Sequence, residues 1–80
     1  MITVLYFAGA KDAASAQSRM FDYTGPSTLR EFTVRLLDDA PGLEFLLPHV
    51  RFAANGHFID DAYAIADGDE IAVIPPVSGG

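Results

Sequence analysis

The sequence predicts an α+β domain in which one main helix lies over a mixed sheet of four or five strands. Three observations carry that expectation. Apolar residues recur in short strand-like runs toward both ends of the chain, and a single capped stretch of helical periodicity lies between them. Asn55-Gly56 separates two of the later runs, and that pair favours a two-residue hairpin turn. At 80 residues the chain has room for one core, which excludes a multidomain enzyme. Stability scaled by length comes to about 4–12 kcal/mol. With half the residues apolar and no cysteine, packing alone must supply it.

Residues 2–8 form the first strand, with Ile2, Val4 and Tyr6 on one side and Leu5 and Phe7 on the other, the pattern of a strand covered on both faces. Residues 9–17 are small and polar and read as a loop, although their alanines permit a short helical turn. Residues 18–24 alternate Phe21 and Tyr23 against Met20 and Asp22, a second strand that completes an opening hairpin. Gly25-Pro26 ends it. Thr28 and Glu31 stand at capping-box spacing, so a helix starts there. Leu29, Phe32, Leu36 and Leu37 make its apolar stripe, and Arg30, Glu31, Arg35 and Asp38 fall toward solvent. Ala40-Pro41-Gly42 stops it, and residues 43–47 form a turn or single helical turn that plugs the core. Residues 50–54 and 57–59 are the hairpin strands around Asn55-Gly56. Residues 62–66 cross over, Asp67-Gly68-Asp69 turns, and residues 70–74 form the last strand before Pro75-Pro76 halts pairing. The order ββ, helix, ββ is that of the β-grasp, or ubiquitin-like, fold, in which the first and last strands are central neighbours. The expected boundaries are a domain over 1–75 and a flexible Gly-Gly tail over 76–80.

The formal charge of −6 repels phosphate backbones and anionic lipid and suits a basic protein partner, so neither nucleic acid nor membrane is an expected ligand. The first apolar run has no basic residues before it and falls far short of the ~20 residues of a membrane helix. The cytoplasm is the expected compartment. Missing cysteines exclude thiol catalysis and zinc-thiolate sites. His49 and His57 lack a spaced set of further ligands and read as solvated or packed side chains. Asp60-Asp61 and Asp67, Asp69 and Glu70 could attract a cation, but a hairpin and a turn explain them. No metal site or bound cofactor is expected. No Ser-His-Asp order, phosphate loop or paired acid and base stands out.

The chain closes on Pro75-Pro76-Val77-Ser78-Gly79-Gly80. Two terminal glycines by chance are roughly a 1-in-200 event at average glycine use. The alternative to a frayed tail is a substrate arm. Two prolines stiffen the exit from the sheet, and the residues beyond Pro75 span roughly 17 Å when extended. Val77, Ser78, Gly79 and Gly80 could thread a narrow channel in another protein. A terminal carboxylate with a pKa of about 3.5 is a poor electrophile at neutral pH. Acyl transfer from Gly80 therefore needs activation, which Mg-ATP supplies as an acyl-adenylate that a sulfur nucleophile opens to a thiocarboxylate.

The opening Met1-Ile2-Thr3-Val4-Leu5-Tyr6-Phe7-Ala8, the Asp67-Gly68-Asp69-Glu70 turn and the closing Pro75-Pro76-Val77-Ser78-Gly79-Gly80 resemble the MoaD/ThiS sulfur carriers, most of all the MoaD branch, the small subunits of molybdopterin synthase. The resemblance spans essentially the whole chain. It implies that a MoeB-like enzyme adenylates Gly80 with ATP and that a desulfurase or rhodanese system supplies sulfur. It further implies that the tail donates this sulfur to cyclic pyranopterin monophosphate inside a MoaE-type large subunit, in a heterotetramer whose catalytic residues lie on that subunit. The residues matching Phe7, Phe58 and Ile74 form the family's apolar contact patch, with Lys11 at its edge and Pro75-Pro76 leading into the tail.

One helix covers only one face of a sheet, so large apolar side chains such as Phe58 and Ile74 should leave surface open for a partner. The competing reading places them in the core or under the crossover. Three functional rivals also stand: a carrier for thiamine or another sulfur pathway, a ubiquitin-like protein modifier, and an inert interaction module.

Overall fold

Alternation along each strand decides which side of the sheet becomes core. The computed structural model describes residues 1–76. The chain runs β1 (Ile2–Tyr6), α1 (Gly9–Ala14), β2 (Ser18–Phe21), β3 (Ser27–Thr28), α2 (Leu29–Asp39), 3-10 turns at Pro41–Leu43 and Leu47–His49, β4 (Arg51–Ala54), β5 (His57–Ile59), β6 (Ala64–Ile65) and β7 (Glu70–Ile74). Five strands form one sheet in the order β2-β1-β7-β4-β5. β1 and β7 are its parallel pair, with Val4 beside Ile71 and Tyr6 beside Val73, and the other pairings are antiparallel. This is the β-grasp, with the first and last strands adjacent at the centre as the element order predicts.

The buried parity, Ile2, Val4 and Tyr6 with Ile71, Val73, Phe52 and Ala54, meets Leu29, Phe32 and Leu36 of α2 and Leu43 of the first 3-10 turn. The capping box at the head of α2 is complete. The Glu31 N–H donates to the Thr28 hydroxyl at 3.2 Å, and the Thr28 N–H donates to the Glu31 carboxylate at 2.8 Å. Asn55 and Gly56 both take positive φ, as the hairpin turn requires. Gly42 allows a close approach, because a Cβ there would lie 2.6 Å from the Ala13 carbonyl oxygen.

Several expectations need correction. Helices cover only one face of the sheet: β1 buries its even-numbered residues, whereas Leu5 is half-buried and Phe7 exposed. Residues 9–14 are a helix and not a loop. Burial of Ala10 against the core and the helix preference of alanine favour it, and Ser15 closes it in a left-handed conformation. β2 stops at Phe21, so Tyr23 packs on the core from outside any strand. The 62–66 crossover contains β6, which pairs with β3 in a two-stranded ribbon, Ser27 opposite Ile65. Of residues 43–47, Leu43 plugs the core while Phe45 is 86% exposed. Arg35 is half-buried, not solvated: its guanidinium lies 5.4 Å from the Phe21 and Phe32 ring centres and donates to the Asp22 carbonyl oxygen at 2.9 Å.

Candidate functional site

The open side of the sheet carries the residues that sequence reasoning assigned to a contact patch. Register aligns Leu5, Ala72, Ala53 and Phe58 in one row across β1, β7, β4 and β5. The two alanines keep the middle of the row low, and the larger side chains at its ends stand above it. Phe7 follows β1 and extends its pairing through an N–H donated to the Val73 carbonyl oxygen at 3.2 Å. The chain then turns sharply at Ala8, where φ is 48° and ψ −126°, and the Ala10 N–H closes the turn on the Phe7 carbonyl oxygen at 3.0 Å. An L-residue is strained there. The turn leaves Phe7 47% exposed at the rim of the sheet, while Phe58 is 59% exposed.

Three grooves meet at Phe7. The first, about 280 Å³, is lined by Leu5, Phe7, Ala53, Gly56, Phe58, Glu70, Ala72 and Ile74. The second, about 550 Å³, runs past Phe7, Ala8, Gly9, Leu46 and Ile74 to Pro75 and Pro76. A third, about 340 Å³, lies between Phe7 and Lys11, with Gln17 and Ser18 on its wall. The structure therefore brings Phe7, Phe58 and Ile74 together, continues from them to Pro75 and Pro76, and sets Lys11 across Phe7 from that path. Phe7 and Phe58 are outside the core, as the open-patch reading expects, and Ile74 is half-buried between two of the grooves. Val77, Ser78, Gly79 and Gly80 lie outside the described residues.

Sequence reading missed Arg51, whose guanidinium stacks 3.7 Å from the Phe58 ring centre. It also missed Leu46, which walls the second groove, and the Ala53 and Ala72 floor. The available signal was parity: Ala53 and Ala72 alternate with buried Phe52 and Val73, which places small side chains on the outer face.

The acidic turn before β7 has a structural use. Asp69 is buried, and its carboxylate accepts from the Tyr63 hydroxyl at 2.8 Å, the Ala66 N–H at 2.9 Å and the Asn55 side-chain amide at 3.0 Å. Burial pushes its pKa up, but these three donors outweigh that and hold it below the usual carboxylate range. The Asn55 side-chain oxygen in turn accepts from the Glu70 N–H at 3.0 Å, which ties the β4–β5 turn to the start of β7. This agrees with the turn reading of Asp67, Asp69 and Glu70. Among the described residues, no three His, Asp or Glu side chains group as metal ligands, and no helix is long and apolar enough to cross a membrane.

The ThiS family model matches residues 4–80. The chain belongs to the ThiS family. Among similar proteins, the molybdopterin synthase sulfur carrier subunit of Chlamydomonas reinhardtii is 32% identical, over 99% of this chain and 98% of that protein. The human protein of the same name is 29% identical, over 99% of this chain and 93% of its own length. SAMP1 from Haloferax volcanii superposes with a TM-score of 0.88 at 29% identity, covering 99% of this chain and 98% of that one. A chain from the complex of subunits 1 and 2 of the Helicobacter pylori molybdopterin-converting factor superposes at 0.71 with 28% identity, covering 99% and 97%.

Proposed function

We propose that this chain is the sulfur carrier subunit of a molybdopterin synthase, with its sulfur held on the Gly80 carbonyl. The observation that carries the reading is the continuous apolar path from Phe58 across Ile74 and Phe7 to Pro75 and Pro76, directly before the Gly-Gly end. A docking face joined to the root of the tail fixes where the tail leaves, so a partner that binds the face also receives the carboxylate. The five residues from Pro76 to Gly80 reach about 17 Å when fully extended, which is the depth of channel the tail can serve. The family match, which runs through residue 80, and the Helicobacter complex support the same reading.

In the proposed sequence a carboxylate oxygen of Gly80 attacks the α-phosphorus of Mg-ATP on a MoeB-like partner, and pyrophosphate leaves. Sulfur at the sulfide level then adds to the activated carbonyl and displaces AMP, leaving a thiocarboxylate; sulfur delivered as a persulfide gives an acyl disulfide first, which a thiol reductant cleaves to the same product. With the tail inside a MoaE-type large subunit, this sulfur adds to cyclic pyranopterin monophosphate, and water then cleaves its bond to the Gly80 carbonyl, so the sulfur stays on the pterin and the tail is released as a carboxylate. The pterin chemistry belongs to the large subunit. This chain contributes the carrier carbonyl, a side-chain-free end and the docking face. In a reconstituted synthase the sulfurated chain should convert the pterin precursor to molybdopterin. A chain lacking Gly80 should convert none while still docking, and conversion without Gly80 would overturn the reading.

The likeness to SAMP1, named a small archaeal modifier protein, favours protein conjugation as the second reading. A modifier accumulates lysine isopeptides ending in Gly80, seen as heavier bands in a pull-down under denaturing conditions. A dedicated carrier does not.

A further inference from the structure

Arg51 is a cation of the docking face with no carboxylate partner among the described residues. It opens β4 opposite Ile74, and its guanidinium carbon sits over the most exposed apolar side chain of the face, 3.7 Å from the Phe58 ring centre. The two ion pairs among the described residues are the Met1 amino group with Asp67 and Arg19 with Asp39, and neither involves Arg51. Arg35 also lies against aromatic rings, but it is half-buried and donates to the Asp22 carbonyl oxygen, whereas Arg51 is exposed on the open face. A guanidinium held over a ring has five N–H donors, and the cation–π contact does not consume them, so they can meet a further acceptor. A partner that buries the Phe58 ring carries Arg51 into the interface with it. Desolvating that charge without an acceptor would oppose binding.

We propose that Arg51 is a specificity determinant of the docking face, and that the large subunit covering Phe58 presents a carboxylate edge-on to it, next to the pocket that takes the ring. This inference rests on the carrier reading. The acidity of the chain as a whole calls for a basic partner surface, so one carboxylate within that surface gives register as well as attraction. A partner with a lysine at that point would meet Arg51 as a like charge and be rejected. A planar fork matches a carboxylate with two parallel hydrogen bonds, which a lysine in place of Arg51 could not reproduce.

Binding of Arg51→Gln, Arg51→Lys and Arg51→Glu chains to the large subunit of the same organism, measured across a salt series, tests the proposal. Arg51→Gln should weaken binding by about tenfold or more and flatten its salt dependence. Arg51→Glu should weaken it further, and Arg51→Lys should recover only part of the loss. Arg30→Gln on α2, which makes the same change in net charge on the helical face, should bind as the unaltered chain does. Near-native affinity and salt dependence for Arg51→Gln would overturn the proposal while the carrier reading stands, provided the unaltered chain docks and is sulfurated. If the unaltered chain does not dock at all, both fall together.

Discussion

Asp69 and Ala8 show how single residues set the shape of the open face from outside it. Asp69 draws Tyr63, Ala66 and Asn55 onto one carboxylate, and its pKa lies below the usual range in the fold. Protonation therefore opposes folding. Its contribution is full above about pH 4, where an unfolded aspartate is ionised, and is lost as the pH falls through the lower folded value. Denaturant midpoints should place Asp69→Ala about 2–3 kcal/mol below the unaltered chain at pH 7. The gap should narrow in acid, and a gap that stays constant would show that the carboxylate charge contributes nothing. Ala8 carries its strain beside Phe7, in backbone space that glycine occupies freely. Ala8→Gly should raise thermal stability by about 1 kcal/mol, strain relief outweighing the added freedom of the unfolded chain. A lower melting temperature would contradict that.

At the scale of elements, α2 is set by its first turn as much as by its stripe. Thr28→Ala removes the hydroxyl that receives the Glu31 N–H and should cost about 1 kcal/mol in urea unfolding. β1, β4 and β7 were readable because each has one strongly apolar parity and ends near a turn or a proline, whereas β2 was read too long because Tyr23 continues the alternation past Phe21. α1 was not, because Gly-Ala-Lys-Asp-Ala-Ala buries only Ala10 completely and presents no stripe. The β3–β6 ribbon was not either: two residues a side hold no period, and their pairing depends on where α2 and the crossover settle. Phe58 and Ile74 were legible as surface because a single helical layer cannot cover both sides of a sheet, whereas Phe7 entered the patch only through the family resemblance. Arg51 was hidden for the opposite reason. A charged residue at a strand start reads as solvated, and only the register that sets it among Ile74, Ala53 and Phe58 gives it a role.

The whole molecule divides its labour between two faces. One side of the sheet is spent on the core beneath α2. The other opens into three grooves that share Phe7, one of which leads on to Pro75 and Pro76. A change confined to the outer face should therefore separate binding from folding. Phe58→Asp should abolish large-subunit binding in a pull-down or by calorimetry while moving the unfolding free energy by no more than about 1 kcal/mol. Retained binding would show that the face is not the docking surface. The chain has no cysteine thiol on which to hold sulfur, and the proposed function places it on the Gly80 carbonyl. Intact-mass and C-terminal peptide analysis after co-expression with a MoeB-like adenylating enzyme and a sulfur donor tests that most directly. The account predicts that one terminal oxygen of Gly80 is replaced by sulfur. An unchanged mass, or sulfur mapped to any other residue, would contradict it.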